Sequence, residues 1–301
     1  MEKHKKEFIR KEREHHPVRI IPLGGVEEIG RNMTVIEYGN DIVVIDAGLQ
    51  FPEDETPGID YIIPNTAYLE KNKNRIRGII ISHGHLDHVG AIPYLIDRLG
   101  FPTIYTTRLT KSMILKRQEE FPYMPRLNIE EITSQKTLRL GLLKIRFFDI
   151  THTVPDAIGT VVETPYGNVI YPGDFRIELN MKGEPTHIEQ YIKLGKENNL
   201  MLLLESTNAE TPGFSIPEKM VHSNLEKISA EARGRVIIGM FSSMLERAIE
   251  LIKIAEKQGK KVVLDGFSLK ANFEMAKELG FFKPKKDTII PIEKINYHPP
   301  T

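Results

Sequence analysis

Apolar positions in this chain come in short runs broken by turn signals. Before residue 206 the pattern predicts mostly strands; after it, strands alternate with helices. Residues 18–23, 33–38 and 42–46 read as strands, with Gly24-Gly25 and Gly39-Asn40 as turns and Asn40-Asp41 as a hairpin corner. Residues 51–65, rich in Pro, Asp and Glu, read as a loop, and 79–82 as a buried strand. Helical spacing predicts a helix over 89–99, capped by Gly100, and another over 107–120, ended by Pro122 and Pro125. Residues 137–175 are β-rich, and Pro165-Tyr166-Gly167 reads as the hairpin turn between 159–163 and 168–171. Strands at 200–204, 235–240 and 261–264 then alternate with helices at 217–232, 245–258 and 271–279, the rhythm of parallel βαβ units. This divides the chain into a polar tail (1–17), a first domain (18–205) and a second (206–301). The last apolar run, 288–292, has no closing partner, so the second region reads as a fragment or a truncated product.

Composition narrows the chemistry. Of 301 residues, 41 are Lys or Arg and 41 are Asp or Glu, so the formal net charge is zero. That excludes a globally basic nucleic-acid binder and leaves only a local basic patch. There is no cysteine. Disulfides, Cys-based zinc sites and a thiol nucleophile are therefore excluded, and any metal must sit on His and carboxylates. A cytoplasmic home fits this usage. No apolar run approaches the ~20 residues of a spanning helix, and the charged tail lacks the apolar core of a signal peptide, so no membrane partner is expected.

The densest chemistry is Ser82-His83-Gly84-His85-Leu86-Asp87-His88, directly after a strand. His83 and His85, two apart, can point at one ion; Asp87 and His88 follow the bend and can reach a second. Imidazole with carboxylate suits Zn²⁺, or Mn²⁺ with more oxygen character. His152 and Asp174 each follow a strand and can add a third His for one ion and a carboxylate that bridges two. Asp46, directly after the strand 42–45, reads either as a carboxylate that orients a ligand His or as a plain strand-end turn residue. Glu205 reads either as a group that orients a ligand or takes part in proton transfer, or as a helix-cap-like turn residue. Ser206, Thr207, Asn208, Ser242 and Ser243 are candidate phosphate contacts, with simple capping by serine as the competing reading.

Asp46, the His83-x-His85-x-Asp87-His88 run, His152 and Asp174 resemble, in order, the first four motifs of the metallo-β-lactamase superfamily. Leu202-Leu-Leu-Glu205-Ser-Thr-Asn208-Ala209 resembles the acidic motif that opens the β-CASP insertion. Residues 20–32, His152-Thr-Val-Pro-Asp156, Tyr171-Pro-Gly-Asp-Phe175 and Phe241-Ser-Ser-Met-Leu-Glu-Arg247 are similar to the ribonuclease J family.

The resemblance implies an α/β chain: an αββα sandwich, incomplete in its C-terminal half, carrying a partial β-CASP domain. It implies two zinc ions, one on His83, His85, His152 and Asp174, the other on Asp87, His88 and Asp174. Asp46, Asp87, Asp174 and Glu205 would serve the chemistry, and Ser206, Asn208, Ser242 and Ser243 the substrate. The implied activity is hydrolysis of single-stranded RNA, 5′→3′ exonuclease and endonuclease, by a hydroxide bridging two metals. The implied assembly is a dimer or tetramer of the full-length protein. The family completes its second metal site with a distal His; His187, His222 and His298 are the histidines after Asp174, and none has the family's surrounding sequence. A small-molecule hydrolase on the same fold and an inactive truncated chain are the competing readings.

Overall fold

The computed structural model describes residues 16–52, 57–180, 182–186 and 188–298. The expected tail, apart from His16 and Pro17, lies outside the described residues, as do His187 and residues 299–301. The chain divides into two compact units. The first holds Met1–Ile150, Asp156–Phe175 and Gln190–Thr207; the second holds Thr151–Pro155, Arg176–Glu189 and Asn208–Thr301.

In the first unit, two sheets form from the described strands. One has six strands in sequential order: β1 (Val18–Gly24), β2 (Met33–Tyr38), β3 (Asp41–Ile45), β4 (Ile76–Ile80), β5 (Ile104–Thr106) and β6 (Ile129–Glu131). β1 to β3 are antiparallel and β3 to β6 parallel. The hairpin between β2 and β3 closes on the pair Tyr38↔Asp41, with Gly39 at φ +59°, where a side chain would be strained. The second sheet runs β11-β10-β9-β8-β7 and contains β7 (Thr137–Leu140), β8 (Leu143–Asp149), β9 (Ile158–Thr164), β10 (Gly167–Tyr171) and β11 (Asn199–Leu202).

Period-2 alternation decides the layers. Every residue of β3 is buried, but successive side chains face opposite ways. Val43 and Ile45 join Ile36, Ile80, Ile145, Phe147, Val162 and Val169 in the core between the sheets. Ile42 and Val44 join Leu69, Val89, Ile92, Leu95 and Ile114 beneath helices α1 (Ala67–Lys71), α2 (Leu86–Val89), α3 (Ile92–Leu95) and α4 (Arg108–Gln118). The outer face of the second sheet packs Phe148, Val161 and Ile170 on Leu194 of α5 (Glu189–Gly195). Each fully buried large apolar side chain contributes about 1.5–3 kcal/mol. The layers run helix, sheet, sheet, helix, as expected.

The helix expected over 89–99 is instead two four-residue helices, α2 and α3. The carbonyls of Asp87 and His88, which would extend α2, accept instead from the N–H groups of Asn32 and Ala47, at 3.1 and 2.8 Å, while Leu86 accepts from Leu49 at 3.0 Å besides its helical bond from Gly90 at 2.7 Å. The N–H of Ala91 in turn donates to Ala47, at 2.9 Å. Pro93, which has no N–H to give, sits in the first turn of α3. The three-residue strands β5 and β6 and the helices α1 and α5 are too short to show a period in the sequence.

In the second unit the helices form: α6 (Glu218–Glu231), α7 (Leu245–Lys257) and α8 (Phe267–Glu278). The strands expected at 235–240 and 261–264 do not. Val262 makes only an isolated bridge with Ile289, and Ile237 is 95% exposed. An apolar run becomes a strand only where neighbours take its N–H and C=O groups, and 235–240 has none among the described residues.

Candidate metal centre

β3, β4 and β10 deliver their C-terminal ends to one edge of the sandwich. Asp46 follows β3 and is fully buried, with φ +62°. Its N–H donates to Ile80 at 2.8 Å, which carries the β3–β4 pairing one step further and places it beside Ser82. Asp46 Oδ1 accepts the Ser82 N–H at 2.8 Å; Oδ2 accepts the Ser82 hydroxyl at 2.9 Å and the Tyr171 hydroxyl at 2.9 Å. The same Oδ2 is 2.8 Å from His88 Nδ1. A carboxylate acceptor there puts the proton on Nδ1 and turns the Nε2 lone pair into the site.

Gly48 makes this approach possible. A Cβ there would stand 1.5 Å from the Asp87 carbonyl oxygen, so no side chain fits between the strand end and α2.

Around the edge stand His83 and His88, both buried, and His85, Asp87 and Asp174, partly exposed. His83 Nε2 is 3.0 Å from His85 Nδ1 and 4.0 Å from Asp174 Oδ2. His88 Nε2 is 3.4 Å from Asp87 Oδ2 and 3.4 Å from Asp174 Oδ1. Asp174 therefore presents one oxygen to each group. The donor atoms of His83, His85 and Asp174 lie within 4.8 Å of one another, and so do those of Asp87, His88 and Asp174. Two imidazole and carboxylate groups joined by a shared carboxylate fit a pair of divalent cations.

The local electrostatics favour positive charge. Burial works against protonation of His88, but the Asp46 charge and the hydrogen bonds of Asp174, Asp46 and Asp87 outweigh it and hold the ring well above its ordinary value. A divalent cation is the stronger partner for the same field. Burial pushes His85 down. Burial alone would raise the Asp87 carboxyl, but the hydrogen bond and charge of His88 bring it below the usual range. Burial, then Asp46, raises Tyr171 well above an ordinary phenol, so it stays a donor.

The remaining sequence candidates are placed as follows. His152 stands on the turn 151–155, which leaves β8 and returns to β9 and groups with the second unit; the turn is closed at its base by the Ile150 N–H to the Ala157 carbonyl, at 3.2 Å. Glu205 follows β11 and accepts the Thr207 N–H at 2.8 Å, the turn-capping geometry. Ser206 and Asn208 are exposed. Ser242 and Ser243 precede α7, but its N-cap position is Met244; the serines act through their carbonyls, toward Asn272 at 3.0 Å and the Leu245 N–H at 2.8 Å. Two residues that reach the site were not singled out from sequence, Tyr171 and Asn32. The signal for Tyr171 is its place three residues before Asp174; for Asn32 it is the turn Gly30-Arg31, both at positive φ.

Residues 26–225 match the description Metallo-beta-lactamase superfamily, two-thirds of the chain. The chain belongs to the metallo-beta-lactamase superfamily. Residues 233–301 match Ribonuclease J, beta-CASP domain. Among curated relatives, Ribonuclease J of Mycoplasma pneumoniae is 37% identical over 94% of this chain and 50% of its own length. Ribonuclease J 2 of Staphylococcus aureus is 34% identical over 94% of this chain and 51% of its own. The chain thus spans about half the length of the curated relatives it matches. In fold, it resembles the crystal structure of an Enterococcus faecalis V583 protein of unknown function, with TM-score 0.70 and 16% identity, over 94% of this chain and 75% of that one. In this superfamily member the shared Asp174 lies between the two donor groups, and no helix among the described residues is long and apolar enough to cross a membrane.

Proposed function

We propose that this chain carries the metal centre of a zinc-dependent ribonuclease of the ribonuclease J type, hydrolysing single-stranded RNA in the cytoplasm by 5′→3′ exonuclease and endonuclease cleavage. The observation that carries the reading is Asp174: one carboxylate with an oxygen toward each of two His and Asp groups, in a chain whose later residues match the ribonuclease J beta-CASP domain.

His83, His85 and Asp174, joined by His152 from the turn after β8, would hold one cation, and Asp87, His88 and Asp174 the other. Zn²⁺ fits imidazole with carboxylate best, and Mn²⁺ is the alternative. Two such cations supply Lewis acidity and an activated water for in-line attack on a phosphodiester. Asp46 fixes the tautomer of His88 through Nδ1. Asp87 and Asp174 offset the cation charge. Glu205 would orient a ligand or pass a proton to the leaving oxygen. Ser206, Asn208, Ser242 and Ser243 would hydrogen-bond the RNA phosphates. A full-length dimer or tetramer would extend the RNA path. The beta-CASP match weighs against a small-molecule hydrolase, whose substrate needs no such domain.

The test is a labelled RNA with a 5′-monophosphate, incubated with zinc-loaded protein. Release of nucleotides that His85→Ala abolishes supports the reading. Zinc-loaded protein that opens a lactone or thioester but leaves RNA intact overturns it.

A further inference from the structure

Asp156 ties the turn that carries His152 to the start of α4. Its carboxylate accepts the Leu109 N–H at 2.9 Å and the Thr107 hydroxyl at 3.0 Å. Thr107 is the N-cap of α4, and a threonine there ordinarily accepts the N–H of the second or third helical residue itself. Here Thr107 makes no such bond; its hydroxyl turns to Asp156, and Asp156 takes the Leu109 N–H in its place. A helix that already has a capping side chain does not need a second one from 47 positions away. The contact therefore serves the segment from which Asp156 comes.

That segment is the turn 151–155. At its outgoing end the Ile150 N–H donates to the Ala157 carbonyl at 3.2 Å. Its returning end is Asp156, and just beyond it the Ile158 N–H donates to the Ser82 carbonyl at 3.0 Å. Ser82 directly precedes His83, so the returning limb is fixed both to the metal loop and, through Asp156, to α4. An extended chain spans at most ~3.3–3.6 Å per residue. His152, between Ile150 and Asp156, is thus held on a short tether at both ends. Asp156 adopts φ +59°, in the left-handed region, where Asp and Asn are the side chains met most often. Burial raises its carboxyl to about 6, and neither of its two partners is a cation. The fold keeps a carboxylate here against its own desolvation, as folds do where a residue serves a site.

We propose that Asp156 is a positioning residue for His152: it holds the returning limb of the turn so that the imidazole is preset for the cation assigned to His83, His85 and Asp174. The inference rests on the metal reading above and deepens it. A ligand on a free turn loses its conformational freedom when the ion binds; a ligand on an anchored turn has already lost it on folding. The anchor therefore tightens the cation that His152 joins and leaves the one on Asp87 and His88 as it is.

The experiment is zinc titration of the full chain by calorimetry. It compares wild type, Asp156→Ala, Asp156→Asn, His152→Ala and the double variant of His152→Ala with Asp156→Ala, with circular dichroism to confirm that each is folded. Wild type is expected to bind two ions. Asp156→Ala is expected to weaken one of them by about tenfold and to leave the other unchanged. Asp156→Asn can still accept from Leu109 and can donate to the Thr107 oxygen, so it is expected to hold both ions close to wild-type affinity. In the His152→Ala background, Asp156→Ala is expected to change neither ion further, because its effect runs through His152. Should Asp156→Ala not fold, Thr107→Val, which removes one of the two donors, takes its place, with a smaller loss expected at the same ion. Wild-type zinc affinities in Asp156→Ala, or in Thr107→Val where that variant stands in, overturn the proposal. So does an equal loss in the His152→Ala background, which a role in folding alone would give. Asp156→Asn losing as much as Asp156→Ala overturns it too, since hydrogen bonds would then not be what holds the turn. His152→Ala binding both ions as wild type does removes His152 as a ligand and the proposal with it. Wild type that binds no zinc overturns the metal reading itself, an outcome distinct from failure at Asp156 alone.

Discussion

The Tyr171 hydroxyl donates to the Asp46 carboxylate at 2.9 Å, across 125 positions of sequence. The bond ties the end of β10, in one sheet, to the end of β3, in the other. Asp46 is thereby a hub with three kinds of donor, from Ser82, Tyr171 and His88. Removing one of them leaves a buried charged acceptor under-satisfied. Tyr171→Phe is expected to cost about 1–3 kcal/mol, read by denaturant unfolding in chelator. It is also expected to weaken zinc binding about tenfold, because Asp46 no longer holds His88 as firmly. Unchanged zinc affinity would remove Tyr171 from the support of the site.

Asp174 belongs to both donor groups, so metal-linked stability should depend on it more than on any one histidine. Zinc at about 100 times its dissociation constant stabilises a folded chain by about 2.7 kcal/mol per site. Calorimetric scans of the wild type should show a rise in melting temperature with zinc that a chelator reverses. Asp174→Ala should show almost no rise. A full rise in that variant would mean that zinc stabilises the chain from elsewhere.

Gly48 is a packing requirement with a functional result. Its Cβ would overlap the Asp87 carbonyl oxygen at 1.5 Å and come within 2.8 Å of the Asn32 nitrogen. Both are main-chain atoms and cannot rotate away. Gly48→Ala is expected to cost about 3 kcal/mol or more, and to lower zinc stoichiometry in whatever fraction remains folded. Thermal unfolding of the metal-free protein, followed by metal analysis, checks both.

Asp156 gives a pH prediction of definite sign. Its carboxylate accepts the Leu109 N–H at 2.9 Å and the Thr107 hydroxyl at 3.0 Å, capping α4 from a distant segment. Burial nevertheless raises it to about 6, and these two bonds only partly oppose the rise. In the unfolded chain the group titrates near ~3.9. Between those values the folded state binds more protons than the unfolded one, so this contribution is fully present below ~3.9 and is lost as pH rises through about 6. Asp156→Asn cannot titrate. Wild-type stability minus that of Asp156→Asn, from urea unfolding, should therefore fall between about pH 4 and about pH 7. A difference that stays flat or rises would contradict the burial argument.

The legible parts of the sequence were those with a period or a dense motif. The short apolar runs in 33–38 and 42–46, bounded by turn signals, located β2 and β3, and the helical spacing in 107–120 located α4, because one buried face repeats along that helix. The run His83 to His88 announced metal chemistry through residue type and spacing alone. What misled was apolarity without context. Residues 236–238 are as apolar as the centre of β3, yet Ile237 is 95% exposed, because no neighbouring backbone among the described residues pairs with it. The helix read over 89–99 broke because Asn32 and Ala47 bond with Asp87, His88 and Ala91 in place of helical partners.

By itself, the sequence determined the metal-binding residue types, the exclusion of cysteine chemistry and the order of most strands and helices in the first unit. All of these depend on residue identity and local periodicity. Only the tertiary structure decided that Asp174 offers one oxygen to each donor group, that Asp46 is shared by Ser82, Tyr171 and His88, and that the Asn32 side-chain amide reaches both His88 and Asp87. Those facts arise where strand ends from two sheets meet. The distances there are set by sheet register and by main-chain hydrogen bonds between segments far apart in the chain, and local sequence carries no record of either.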